Sequence, residues 1–203
     1  DYLAVAYPVE GFELRQAGIK SPIMVLTAGT DSFDQIVNYG LEPGIPNMYS
    51  LKVLCNVLEK RGMTDFPVHI KLDTGMHRLG FMTEELAELM DFMKECKAVK
   101  IKSIYSHLAA SDDPSCDEFT LGQIELFQKN ADALSESLGY KPMYHVLNSA
   151  GIERFTQYQF DMVRLGIGIY GVSAIPGNKL APVASFKCKV LQVKTLRPED
   201  GTI

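Results

Sequence analysis

The sequence lacks most of the features that usually announce a function. It has no C-x-x-C pair, and its four cysteines, Cys55, Cys96, Cys116 and Cys188, are scattered. None stands at metal-ligand spacing from a histidine, so no metal site is expected and a reduced, cytoplasmic setting fits. No apolar run approaches the roughly 20 residues of a membrane helix, so no membrane partner is expected. The first residues do not follow the basic-then-apolar layout of a secretion signal. The net charge is −5 with no basic block, which argues against nucleic acid as a partner. G-x-S-x-G, the P-loop, G-x-G-x-x-G and H-E-x-x-H are all absent, and with them the commonest motif-based readings. There is no initiator Met, and the last four residues, Asp200-Gly201-Thr202-Ile203, read as a turn into a new strand. The chain is therefore expected to be a piece of a larger protein.

What is present is an ordinary globular composition, 46% apolar and 22% charged over 203 residues, enough for one sizeable core. Short runs at residues 2–6, 23–26, 68–72, 99–106, 143–147 and 161–163 are predicted strands, and residues 42–46 a poor one weakened by two prolines. Segments with helical spacing separate most of them. In residues 50–60, for example, Leu51, Leu54, Cys55 and Leu58 share a face and Gly62 closes the helix. Repeated strand–loop–helix units mean a parallel sheet. This many in one core favour a (β/α)8 TIM-type barrel over an open sheet, here lacking its first strand. After Pro176-Gly177 the pattern changes: residues 184–194 mostly alternate apolar and polar, as an antiparallel strand with one wet face does. The expected division is a partial barrel domain over residues 1–175 and the truncated start of a β-rich C-terminal domain over residues 176–203.

The fourth strand has two unlike faces. Val68, Ile70 and Leu72 alternate with His69, Lys71 and Asp73, and Arg78 follows in a loop. Two readings stay open: a half-solvated strand with an ion pair, or the rim of a site for an anion. Barrel ligands sit at the C-terminal ends of the strands. Polar residues fall there strand after strand: Lys71, Asp73 and Arg78, then His107, then Asn148 and Ser149, then Arg164, Gly166 and Ile167. Asn148-Ser149-Ala150-Gly151 suits either a phosphate or a plain helix cap, and Gly166-Ile167-Gly168 offers further backbone N–H groups. His107 could stack on a flat ligand or cap the Asp112-Asp113 loop. His145 is either a satisfied core histidine or a support for the site, and His77 reads as solvated.

The run Lys71-Leu72-Asp73-Thr74-Gly75-Met76-His77-Arg78-Leu79-Gly80 resembles the K-[VILM]-D-T-G-M-x-R-[LI]-G signature of the bacterial alanine racemases. Tyr105-Ser106-His107-Leu108-Ala109, His145-Val146-Leu147-Asn148-Ser149-Ala150 and Val163-Arg164-Leu165-Gly166-Ile167-Gly168-Ile169-Tyr170-Gly171 follow in the family's order, so the resemblance covers essentially the whole chain. It implies a cytoplasmic homodimer with shared active sites that uses pyridoxal phosphate to interconvert L- and D-alanine for the bacterial cell wall (peptidoglycan). By that resemblance Arg164 hydrogen-bonds the cofactor's ring nitrogen and His145 holds Arg164. His107 lies beside the ring. Asn148, Ser149, Gly166 and Ile167 stand at phosphate-side positions, and Arg78 stands near the substrate carboxylate. Lys71 matches a lysine carbamylated in some members, where it would orient Arg78. His77 departs from the family's usual glycine. The cofactor-bearing lysine would lie upstream of Asp1 and the opposing tyrosine base beyond Ile203, so the isolated chain is expected to be inactive. Alternatives are a related barrel enzyme acting as a serine racemase or decarboxylase, a pyridoxal phosphate protein without turnover, and a module fused to a cell-wall ligase.

Overall fold

The computed structural model describes residues 2–201. Six strands, β1 (Leu3–Val5), β2 (Ile23–Val25), β3 (Glu42–Ile45), β4 (Phe66–Lys71), β5 (Val99–Tyr105) and β6 (Met143–His145), pair in parallel in sequence order. Parallel neighbours need a crossover. It is supplied by α1 (Pro8–Gln16), α2 (Phe33–Asn38), α3 (Met48–Lys60), α4 (Leu86–Glu95) and α5 (Asp117–Leu138), and α6 (Ser149–Arg154) follows β6.

 The sheet is strongly curled. Tyr2, just before β1, packs edge-on against the His69 ring of β4 with centroids 5.7 Å apart, although three strand spacings would put them about 14 Å apart in a flat sheet. This is the wall of a partial barrel.

Each strand's alternation sorts its side chains. Ile45, Val68, Ile70, Ile104 and Tyr144 share one buried core with Leu51, Leu54 and Leu58 of α3 and with Phe127 and Leu134 of α5. Helix ends match local chemistry. Asn47 caps α3 by accepting the Ser50 N–H at 2.9 Å, and Gly139, at φ +72°, lets the chain leave α5 in the left-handed region. The opposite, inner face carries the polar set. Lys71, Tyr105 and His145 lie in one row across β4, β5 and β6, and Gly44, His69, Ser103 and Met143 lie in the row below. The register slips once. Val68 pairs with Ile101, but His69 pairs with Ser103, so Lys102 is an extra residue on β5.

Two expected strands do not form. Residues 161–163 run beside β6 without a ladder, because side chains take over the pairing. The Asp161 N–H donates to the Tyr144 carbonyl, yet the returning Tyr144 N–H goes to the Asp161 carboxylate. Residues 184–194 also form no strand. Phe186 and Leu191 are 99% and 93% exposed, and a strand with no partner has nothing to satisfy its backbone or cover its apolar side. A tight turn over Thr83–Glu85 leads into α4, which begins at Leu86.

Candidate active site

The loops after the strands surround a cavity of about 1650 Å³, lined among others by Lys71, Arg78, Tyr105, His107, Ser149 and Arg164. Asn148, Gly166 and Ile167 line it as well. His145 lies just beneath, and its ring stacks on Tyr105. The polar residues at the ends of β4, β5 and β6 and of the following segment are thus gathered around one space.

Arg164 is the most constrained of them. Its Nη1 meets His145 Nδ1 at 2.8 Å and the His145 carbonyl at 3.0 Å. Its Nη2 donates to the carbonyls of Ser106 at 2.5 Å and Val146 at 3.0 Å, with His107 Nδ1 at 3.5 Å. The guanidinium therefore ties the ends of β5 and β6 together, which is why residues 161–163 need no ladder of their own. It also lies over the Tyr105 ring, 5.6 Å from its centroid. Among the described residues no carboxylate pairs with it. Burial lowers its pKa to about 10, still well above neutrality, so it stays cationic.

The surroundings are electropositive. Burial first, then Arg78 and Arg164, lower the pKa of Lys71 to about 8. Burial first, then Arg164, Arg78 and Lys71, lower that of His107 to about 4, so its imidazole is neutral near pH 7. Asp73 opposes this at Lys71, as the smallest of the four effects. Its Oδ1 accepts the N–H groups of Gly75 and His77, both at 3.0 Å, and so shapes the loop that carries Arg78. Arg78 itself is exposed at the cavity wall and has no hydrogen-bond or ion-pair partner among the described residues. Gly80 lets that loop fold back: at φ +130°, a Cβ there would stand 2.6 Å from the Asp73 nitrogen.

Ser149 opens the opposite wall. Its Oγ accepts the N–H groups of Gly166 at 3.0 Å and Gly168 at 3.1 Å, which leaves its own proton to donate. The Asn148 side chain is occupied within the protein. Its Oδ1 caps α6 through the Gly151 N–H and accepts from Ser111, and its amide donates to the Leu108 carbonyl. His107 is held by its backbone: Gln123 of α5 donates to the His107 carbonyl at 3.3 Å and accepts the Ala109 N–H at 3.0 Å. Sequence reasoning passed over Gln123, Ser103 and Glu42. The helical spacing of Gln123 with Ile124, Phe127 and Ala131 was the available signal for the first, and only three-dimensional pairing reveals the other two.

The family model described as "Alanine racemase, N-terminal domain" matches residues 1–174. An alanine racemase of Synechocystis sp. is 35% identical over 207 aligned residues, covering 99% of this chain and 55% of that protein. The solved structure of alanine racemase from Clostridium difficile 630 in complex with cycloserine superposes with a TM-score of 0.80 at 30% identity, covering 89% of this chain and 49% of that one. The alanine racemase of Bartonella henselae, solved with covalently bound pyridoxal phosphate, gives 0.73 at 26% identity, covering 85% and 47%. The chain spans about half the length of the curated relatives it matches. Sequence, fold and the arrangement at the strand ends agree: this chain belongs to the alanine racemase family, whose N-terminal domain occupies most of it.

Proposed function

We propose that the protein containing this chain interconverts L- and D-alanine with pyridoxal phosphate, and that this chain supplies most of the cofactor's bed. The observation that carries the reading is Arg164. A cation at the cavity wall has both Nη groups committed to protein acceptors, while its Nε–H has no partner among the described residues. Such a group presents a fixed donor to a flat ligand. Two further features fit the cofactor. The Ser149 hydroxyl has a proton to give to a phosphate, and the Tyr105 hydroxyl is buried in the cavity wall with no partner among the described residues.

In this reading Ser149 and the backbone around Gly166 and Ile167 take the phosphate, with Asn148 capping α6 from behind. Arg164 donates to the ring nitrogen, His145 holds Arg164, and neutral His107 lies beside the ring. Arg78 takes the substrate carboxylate, and a carbamylated Lys71, being an anion, would orient it. When bound, pyridoxal phosphate supplies an electron sink for the pair left as alanine loses its α-proton. Arginine does not give up its own proton, so Arg164 keeps the ring nitrogen unprotonated and limits that sink. A limited sink favours return of the proton over transfer of the amino group. The two bases that proton exchange with inversion requires would come from outside this chain, so the 203 residues alone would not turn over.

The relatives' names and the shared fold support the substrate. Supply of D-alanine for the cell wall, a cytoplasmic location and a homodimer with shared active sites belong to the same proposal. A barrel domain to residue 175 followed by the start of a β-rich domain is its structural counterpart. Fusion to a ligase finds no support. The test is conversion of L-alanine to D-alanine by the whole purified protein loaded with pyridoxal phosphate. Turnover is expected from it and none from residues 1–203 alone; no turnover by the loaded whole protein would overturn the proposal.

A further inference from the structure

An unbroken file of hydrogen bonds runs from Arg164 across the inner face of the sheet. His145 Nδ1 faces Arg164 Nη1 at 2.8 Å, and His145 Nε2 faces Ser103 Oγ at 2.8 Å. Ser103 Oγ faces His69 Nδ1 at 2.6 Å, and His69 Nε2 faces Glu42 Oε2 at 3.0 Å. His69, Ser103 and His145 have no exposed surface at all, so each polar atom must find its partner within the protein.

The two ends are of opposite kinds. A guanidinium only donates and a carboxylate only accepts. Arg164 donates to His145 Nδ1, so that ring carries its proton on Nε2 and passes it toward Ser103. Arg164 fixes nothing further, because a hydroxyl oxygen can accept from both sides. Glu42 settles the remainder. It requires a proton on His69 Nε2, which leaves His69 Nδ1 to accept the Ser103 proton. Every donor then has one acceptor, and the two ends together set the direction of the file.

We propose that Glu42 is a positioning residue for Arg164, acting through His69, Ser103 and His145 to keep a lone pair on His145 Nδ1 turned toward the guanidinium. Without an acceptor-only group at the far end, His69 is free to carry its proton on Nδ1. Ser103 then faces a donor on each side and, being buried, either leaves its own proton unpaired or turns it toward His145 Nε2, which displaces the His145 proton to Nδ1 against an Arg164 donor. Glu42 is two strands away from Arg164's neighbour β5 and does not touch the guanidinium, so the coupling belongs to the file. What Arg164 does to a cofactor rests on the reading above; the orientation of the file does not.

The test is ¹⁵N NMR of histidine-labelled whole protein free of cofactor, which reads the tautomer of each imidazole directly. In the wild type, His69 and His145 are both expected as the Nε2–H tautomer alone. Glu42→Gln keeps the shape but adds an amide donor, and should bring in the Nδ1–H tautomer at His69 and, through Ser103, at His145. Glu42→Asp, again acceptor-only, should restore the wild-type tautomers. In a Ser103→Ala background the file is cut, so Glu42→Gln should no longer alter His145. Unchanged tautomers in Glu42→Gln, failure of Glu42→Asp to restore them, or an equal effect on His145 with and without Ser103 would each overturn the proposal. Racemase activity plays no part in this measurement, so its outcome is separate from that of the functional reading.

Discussion

Tyr105 and His145 stack face to face, with ring centroids 5.1 Å apart and planes only 3° from parallel. The contact joins β5 to β6 directly beneath the cavity, and the Tyr105 hydroxyl beyond it is buried with no partner among the described residues. Removing that hydroxyl should cost the cofactor-free protein nothing, because no hydrogen bond is lost. Tyr105→Phe is therefore expected within about 0.5 kcal/mol of wild type, whereas Tyr105→Ala should lose about 3–5 kcal/mol by opening a cavity. Chemical denaturation of both variants checks the contrast. A large loss in Tyr105→Phe would show that the hydroxyl has a partner after all.

Ser149 holds Gly166 and Gly168 by their N–H groups and keeps a proton for a ligand. Ser149→Ala should weaken pyridoxal phosphate binding about tenfold, equivalent to about 1.4 kcal/mol. Equilibrium titration of the whole protein with the cofactor measures it. Undiminished affinity would remove Ser149 from the phosphate side.

His107 predicts an acid-sensitive stability. Its pKa falls from 6.5 in the open chain to about 4 in the fold, mainly by burial. Between those values the unfolded chain binds the extra proton, so stability is present above pH 6.5 and is lost as pH falls toward 4. His107→Gln should flatten the stability–pH curve over that window by one proton, as read from denaturation midpoints. Lys71, lowered from 10.5 to about 8, makes stability rise with pH between those two values. Lys71→Met should abolish that rise.

The loop carrying Arg78 depends on Gly80. Gly80→Ala places a Cβ 2.6 Å from backbone atoms of Leu72 and Asp73 at a φ that side chains avoid. A loss of more than about 2 kcal/mol is expected from the strain alone. Gly122→Ala, on an open helix face with nothing within 4 Å, is the control and should be neutral or stabilising.

Arg164 should govern the outcome of the reaction as well as its rate. Arg164→Glu replaces a donor that keeps its proton by a group able to share one, which would strengthen the cofactor as an electron sink. The ratio of keto acid to D-alanine formed from L-alanine should rise. An unchanged ratio would count against this role.

Much of the fold was legible because its signals are local. The alternation of Val68, Ile70 and Leu72 with His69 and Lys71 gave β4 and its two faces, and Gly62 marked the end of α3. The segment at residues 161–163 was misread because it has the composition of a strand but not the pairing. The Asp161 carboxylate and the Arg164 guanidinium satisfy the neighbouring backbone instead, and no propensity encodes that. Residues 184–194 have strand patterning, but a lone strand is not stable without a neighbour. At the cavity, Lys71, Arg78, His107, Ser149 and Arg164 were legible from their places at strand ends. Glu42, Ser103 and Gln123 were not, since each acts on a residue distant in sequence.

The slip of register at Lys102 determines what the interior contains. In an unbroken ladder His69 would face Lys102, and a long ammonium would replace the small hydroxyl of Ser103. An unbroken ladder that kept Lys102 would exchange the two sides of the upper half of β5, sending Ile104 inward and Tyr105 under the helices. One residue with no partner across the strand thus decides whether this wall is wired or greasy.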